Sequence, residues 1–132
     1  IKIFNKGNHI RDFTYVDDIV LSIYKLVLSH KYKKYKIKKI IDTKNPSSSS
    51  APFEIYNIGN NKPTKLMYYI DLIEKGLGKK ANKSFVKFQK GDIQNTHANV
   101  NKLIKKTKFK PSTSIEKGVK NFCDWFLSYY KK

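Results

Sequence analysis

The chain has 132 residues, and its 28 basic and 10 acidic side chains give a formal net charge of +18. This length and a hydrophobic fraction of 39% favour one globular domain over a disordered chain. The absence of an apolar run near the ~20 residues that span a bilayer, and a single cysteine that excludes an internal disulfide, predict a soluble cytoplasmic protein.

The first half of the chain predicts three short strands and two helices. Alternating apolar residues indicate a strand at 1–5, and Phe13 and Tyr15 indicate a second one. Helical spacing of apolar residues predicts a helix from 16 to about 28. A lysine-rich and serine-rich surface loop, an insertion at about 30–52, comes before a third strand at 53–58. The stripe at 66–77, closed by Gly78, is a second helix.

The second half predicts one strand and two further helices. Residues 84–88 form the strand, and 99–106 a short helix that Asn99 caps. Thr113 and Glu116 form a capping box before a C-terminal amphipathic helix. We therefore expect a small α+β unit with about four short strands and four helices.

The positive charge by itself suggests a polyanionic partner. However, every basic residue except Arg11 is lysine, whereas nucleic-acid binders usually include arginine, which contacts bases and phosphates through two hydrogen bonds. A basic module that binds nucleic acid or an anionic surface therefore remains the less favoured alternative. The guanidinium of Arg11 is a rigid fork of donors, and it becomes the first candidate for binding an oxyanion.

The sequence lacks the usual catalytic motifs. No G-x-G-x-x-G turn, P-loop, metal-spaced cysteine and histidine cluster, or suitable carboxylate pair occurs, and we expect no metal site. His9, His30 and His97 are more typical of surface or loop residues than of ligands. Asp92 follows a glycine at the end of a strand, where its carboxylate either accepts sugar hydroxyls or forms an ordinary Asx turn.

Four segments in order carry a resemblance to a known family. They read RDFTYVDDIV at 11–20, APFEIYNIGN at 51–60, QKGD at 89–92 and FKPSTSIEKG at 109–118. The chain resembles the C-terminal part of the extended short-chain dehydrogenases/reductases, and within them it is most similar to UDP-glucuronate 4-epimerases. The family fold is α/β, and the resemblance identifies 1–132 as its small α+β C-terminal, substrate-binding portion.

The resemblance also implies a function for the full-length enzyme. It would use NAD, bound by an N-terminal Rossmann domain upstream of Ile1, to interconvert UDP-glucuronate and UDP-galacturonate, and it would form a homodimer. Another nucleotide-sugar 4-epimerase or a 4,6-dehydratase remains an alternative. Since the catalytic and NAD-binding motifs would lie in the missing domain, we expect this chain alone to be inactive.

The resemblance assigns substrate contacts to three residues. The matching arginine, Arg11, would contact the diphosphate of a UDP-sugar, and Asp92 would contact the uridine ribose. Gln89 would lie near the diphosphate. The chain departs from the family pattern at three positions, where a proline, a tyrosine and an aspartate are usual: Gln94, His97 and Asn99.

Overall fold

The computed structural model describes residues 1–30 and 54–131, and over these residues it contains four two-residue strands and four α-helices. The expected small α+β unit is confirmed. The elements are β1 Lys2–Ile3, a 3-10 turn Phe4–Gly7, β2 Ile10–Arg11, α1 Val16–His30, β3 Thr64–Lys65, α2 Leu66–Leu77, β4 Ser84–Phe85, α3 Asn101–Thr107 and α4 Ile115–Tyr129. The loop predicted at 30–52 lies outside the described residues, apart from His30 at the end of α1.

The strands form two small sheets. β1 pairs parallel with β4, and β2 pairs antiparallel with β3 so that Arg11 lies opposite Thr64. On its other side β2 meets the segment 94–96, where the Ile10 amide donates to the Gln94 carbonyl at 3.0 Å and the Thr96 amide donates to the Ile10 carbonyl at 3.1 Å. The backbone at the start of β2 is therefore held from both sides.

The helices pack in two pairs, α2 on α4 and α1 on α3. Helices α2 and α4 approach closely at Gly76, where an added Cβ would lie 2.6 Å from the sulfur of Cys123. Burial raises the pKa of the Cys123 thiol, as does the neighbouring Asp124 to a smaller degree, so this cysteine is a packing residue. The buried apolar side chains are Ile3, Val100, Leu103, Val119 and Cys123.

Helix α1 turns polar residues inward. The buried Asp18 carboxylate accepts the amides of Ser112 at 3.1 Å and Thr113 at 2.9 Å, and the Ser22 hydroxyl donates to the Asp18 carbonyl at 2.7 Å. On other sides of the helix, five apolar side chains are each at least 50% exposed: Val16, Val20, Ile23, Tyr24 and Val27. These five residues form the α1 stripe, a contiguous apolar surface of the kind that normally meets another protein surface.

The second strand lies earlier than predicted. It is Ile10–Arg11, and the strand expected at Phe13 and Tyr15 is wrong. The Phe13 ring stacks on Tyr69 of α2 at a centroid distance of 4.1 Å, and Tyr15 lies against Gly118 of α4. Both aromatic side chains pack on helices, so their β propensity does not set the local structure.

The strand predicted at 53–58 is also wrong over 54–58, where the structure has only an isolated bridge residue at Glu54. Bonds to backbone carbonyls hold this region in place of a sheet. The Lys102 ammonium donates to the Ile55 carbonyl at 2.9 Å, and the Asn60 amide donates to the Thr113 carbonyl at 2.9 Å.

The helix caps differ from the prediction in detail. Helix α4 is capped by Ser114, whose hydroxyl accepts the Lys117 amide at 3.2 Å. The Thr113 and Glu116 capping box is wrong, because the cap lies one residue later than Thr113. The Glu116 carboxylate accepts the Tyr68 hydroxyl at 2.7 Å, a bond that lowers the pKa of Glu116. At α3, the Asn99 side chain accepts the Asn101 amide at 3.1 Å from just before the helix.

Candidate functional site

Arg11 ends β2 with its guanidinium held in one orientation. Nη1 donates to the carbonyls of Gln94 at 2.9 Å and Ile10 at 3.1 Å, and Nη2 donates to Asp92 Oδ1 at 3.1 Å. Within the described residues, the Nε hydrogen and one Nη2 hydrogen take no part in a hydrogen bond. The side chain is 26% exposed, so these two donors belong to a fixed and accessible cation.

Asp92 lies in a turn that starts at Gln89. Its amide donates to the Gln89 carbonyl at 3.2 Å, and Gly91 takes the left-handed conformation with φ +85° that favours glycine. Asp92 Oδ1 accepts the Ile93 amide at 2.8 Å as well as the Arg11 donor. The carboxylate is therefore held by its own turn and by an arginine 81 residues away.

His9 lies beside the same carboxylate, in the short loop before β2. Of the expected surface or loop position, the loop is observed, but the surface is wrong, because His9 is only 3% exposed. Its Nε2 is 3.1 Å from Asp92 Oδ2 but lacks the alignment of a hydrogen bond. A buried nitrogen without a hydrogen bond costs about 1–3 kcal/mol. The Asp92 carboxylate is the charged group that lies next to this nitrogen.

Gln89 shares the turn with Asp92. Its backbone carbonyl closes the turn, while its side chain is exposed and makes no hydrogen bond to the described residues. The structure thus brings together Arg11 and Asp92, and it places Gln89 nearby without a side-chain contact to either one.

Asp12 points away from Arg11, as neighbouring residues of an extended chain do. Its carboxylate accepts three backbone amides, from Asn61 at 3.1 Å, Lys62 at 3.3 Å and Ala98 at 3.2 Å. These bonds join β2 to the segments 59–62 and 96–98 and shape an open pocket of about 280 Å³ beside them. The role of Asp12 could not be predicted from the sequence, because the amides that it binds are distant along the chain.

Comparison with known proteins places the chain in a family. Protein CapI of Staphylococcus aureus is 46% identical over 132 residues, which are 100% of this chain and 39% of that protein. A probable UDP-glucuronate 4-epimerase of Rhizobium meliloti is 37% identical over 134 residues, covering 100% of this chain and 38% of that protein. No protein-family model matches the chain.

A solved structure agrees with these relatives. The UDP-glucuronic acid 4-epimerase of Bacillus cereus, in complex with UDP-glucuronic acid and NAD, matches with a TM-score of 0.68 and 26% identity over 98% of this chain and 35% of that one. The chain belongs to the extended short-chain dehydrogenase/reductase family. It matches the C-terminal part of such epimerases and spans 39% or less of the length of these relatives.

The three departures from the pattern of the short-chain dehydrogenase/reductase family leave the contact between Arg11 and Asp92 in place. Gln94 contributes its backbone carbonyl to Arg11, so its side chain is not used there. Asn99 accepts the first amide of α3 with an oxygen that an aspartate would also provide. The His97 ring contacts the Asn61 side chain and lines the pocket beside Asp12.

The described residues do not fit the NAD site of a short-chain dehydrogenase/reductase. Residues 76–81 have G-x-G-x-x-A spacing, a variant of the dinucleotide-binding turn. They lie at the C-terminal end of α2, where Gly78 is the left-handed cap with φ +63°, whereas the dinucleotide-binding turn places the diphosphate of NAD at a helix N-terminus. The described residues also contain no cluster of His, Cys, Asp and Glu suited to a metal ion. None of the helices in this part of the chain is both long and apolar enough to cross a membrane.

Proposed function

We propose that this chain is the UDP-sugar-binding portion of an NAD-dependent epimerase that interconverts UDP-glucuronate and UDP-galacturonate through oxidation and re-reduction at C4. In this proposal Arg11 binds the diphosphate, Asp92 binds the ribose hydroxyls, and Gln89 lies near the diphosphate. The observation that carries it is the direct contact between Arg11 and Asp92 at an accessible edge, in a chain related to 4-epimerases.

The state of the Arg11 side chain supports a diphosphate contact. Three of its hydrogen bonds fix the guanidinium before any ligand arrives, so little side-chain entropy remains to be lost on binding. The two remaining donors, on Nε and Nη2, are available to phosphate oxygens. A lysine at this position would offer a single ammonium group and could not satisfy the Gln94 carbonyl, Asp92 and a phosphate with the same geometry.

The α1 stripe supports a larger enzyme. Its apolar side chains remain exposed while the helix buries Asp18 and Ser22. We propose that the N-terminal Rossmann domain covers the α1 stripe and binds NAD, which supplies hydride transfer to the enzyme, and that the full-length protein is a homodimer. This chain alone would then bind nucleotide without turning it over. The single buried thiol of Cys123 is compatible with the cytoplasmic location that we propose.

The test uses the full-length protein that carries this chain. We expect it to convert UDP-glucuronate to UDP-galacturonate, and we expect Arg11→Lys to lower kcat/KM about 10-fold to 100-fold, since one charge-assisted hydrogen bond contributes about 1.5–3 kcal/mol. Lys79→Gln, at an exposed lysine beyond α2, is the matched control for surface charge and should be unchanged.

Two outcomes would contradict the proposal. Arg11→Lys with activity within twofold of wild type would exclude the diphosphate role of Arg11. Conversion of UDP-glucose or dTDP-glucose in preference to UDP-glucuronate would instead change the substrate and keep the site. Product analysis by chromatography with all three sugars separates these results.

A further inference from the structure

The backbone at His9 is fixed by the strands around it. The His9 carbonyl accepts the amide of Leu66, the first residue of α2, at 2.9 Å, and the next residue, Ile10, is bonded on both sides to the segment 94–96. The His9 ring is buried and lies 5.9 Å from the ring of Phe88. His9 therefore presents its Nε2 from inside the fold, at a position that the backbone determines.

Asp92, in contrast, belongs to an exposed turn. Within the described residues, the contacts of its carboxylate outside the turn are with His9 and Arg11 alone. A carboxylate and a guanidinium usually prefer two parallel hydrogen bonds. Here only Oδ1 meets Arg11, at 3.1 Å, while Oδ2 faces His9 Nε2, also at 3.1 Å.

We propose that His9 is a positioning residue that draws Oδ2 of Asp92 away from Arg11 and so keeps the free donors of Arg11 available for a diphosphate. Without a group at the position of Nε2, the carboxylate can rotate and meet Arg11 with both oxygens. That arrangement uses the Nε or second Nη2 donor that a phosphate needs. The ligand in this inference rests on the proposed function, whereas the contact between His9 and Asp92 does not.

The chain offers a direct probe, because Arg11 is its only arginine. The 132-residue chain labelled with ¹⁵N should give one arginine Nε signal, whose position reports on the partners of Arg11, and UDP is the ligand. His9→Phe keeps a ring against Phe88 but removes the nitrogen. His9→Gln places an amide nitrogen near the position of Nε2. His9→Asn is polar, but its amide is too short to reach Oδ2.

We expect His9→Phe and His9→Asn to shift the Nε signal in the absence of ligand and to weaken UDP binding about tenfold. His9→Gln should restore both the signal and the affinity, which a purely structural role of the ring does not predict. In an Asp92→Asn background, His9→Phe should have no further effect on the signal. If His9→Phe does not fold, His9→Asn and His9→Gln provide the same comparison.

The outcomes separate the two proposals. An unchanged Nε signal in both His9→Phe and His9→Asn would overturn the role of His9, whatever the affinity for UDP. A wild-type chain that shows no UDP binding would count against the proposed function, and the comparison of Nε signals without ligand would still decide whether His9 holds Asp92.

Discussion

Two aspartates of this chain are held in opposite ways. Asp18, at the start of α1, is 8% exposed and accepts the backbone amides of Ser112 and Thr113. Asp92, in the turn after β4, has a side chain that is 31% exposed, and it lies between the side chains of His9 and Arg11. One carboxylate joins two backbone segments, and the other joins two side chains at an open edge.

The difference separates support of the fold from readiness for a ligand. Backbone amides cannot leave Asp18 unless the segment after α3 moves, so its bonds are part of the fold. The partners of Asp92 are side chains at a partly exposed site, and a ligand with hydroxyls and phosphates can compete for them. Asp12 and Glu74 belong with Asp18, since both accept backbone amides.

The largest effect on the free energy of unfolding should come from removing a carboxylate that is held by backbone amides, such as Asp18. We expect Asp18→Ala to lower the free energy of unfolding by about 3 kcal/mol, because two buried amides lose a charged acceptor. Asp17→Ala is the matched control, since Asp17 is exposed in the same helical turn, and it should cost about 0.5 kcal/mol. Urea unfolding measures both variants, and equal losses would show that Asp18 does not hold the segment after α3.

Glu74 is a second buried carboxylate that supports the fold, and its contribution to stability should depend on pH. Its pKa is lowered to about 2, first by Lys83, then by the Ala81 amide and by Lys80. Because the folded-state pKa lies below the ordinary value of 4.5, Glu74 contributes stability that is present above pH 4.5 and is lost as the pH falls towards 2. Wild type should therefore lose more stability than Glu74→Gln over this range.

Urea unfolding between about pH 6 and pH 2 tests this expectation. Asp17→Asn, which removes an exposed carboxylate, should follow the wild-type curve. Parallel curves for wild type and Glu74→Gln would mean that the contacts with Lys80 and Lys83 do not stabilise the folded state. Glu74 would then not belong with Asp18, and support of the fold would be limited to carboxylates that are bound by backbone amides alone.

The helices could be predicted from the sequence because each carries several apolar residues at helical spacing. The strands predicted at 1–5 and 84–88 contain β1 and β4, but β2 and β3 could not be placed. Two-residue strands follow from tertiary pairing: Ile10 pairs because Lys65 and Asn95 lie on either side of it. Periodicity also predicted α1 without showing which side meets α3. That side holds Asp18 and Ser22, and the apolar residues that reveal the helix remain exposed.

Some residues of the candidate site could likewise be predicted from the sequence, and others could not. Arg11 could be singled out because it is the only arginine, and Asp92 because of the family resemblance. The place of His9 could not be predicted, because its burial depends on the start of α2 and its contact on a turn 83 positions further along the chain. Such long-range contacts follow from the packing of β2, which the local sequence does not encode.

The smallest effect on stability should come from Asp92→Asn. We expect a loss below about 1 kcal/mol, because the ion pair is partly exposed and the asparagine oxygen can still accept the Ile93 amide. UDP binding should nevertheless weaken about fivefold to tenfold, since a ribose hydroxyl loses a charged acceptor. Asp124→Asn, at an exposed carboxylate paired with Lys120 on α4, is the control for both measurements.

Inorganic pyrophosphate decides what the weakening of UDP binding means. Asp92 is an anion next to Arg11, so its removal should leave pyrophosphate affinity equal or higher. A variant that loses UDP but keeps pyrophosphate identifies Asp92 as a ribose contact. A variant that loses both ligands equally would instead mean that Asp92 acts only by orienting Arg11. The accessible carboxylate would then resemble Asp18 in purpose, since it would support another group without touching the ligand.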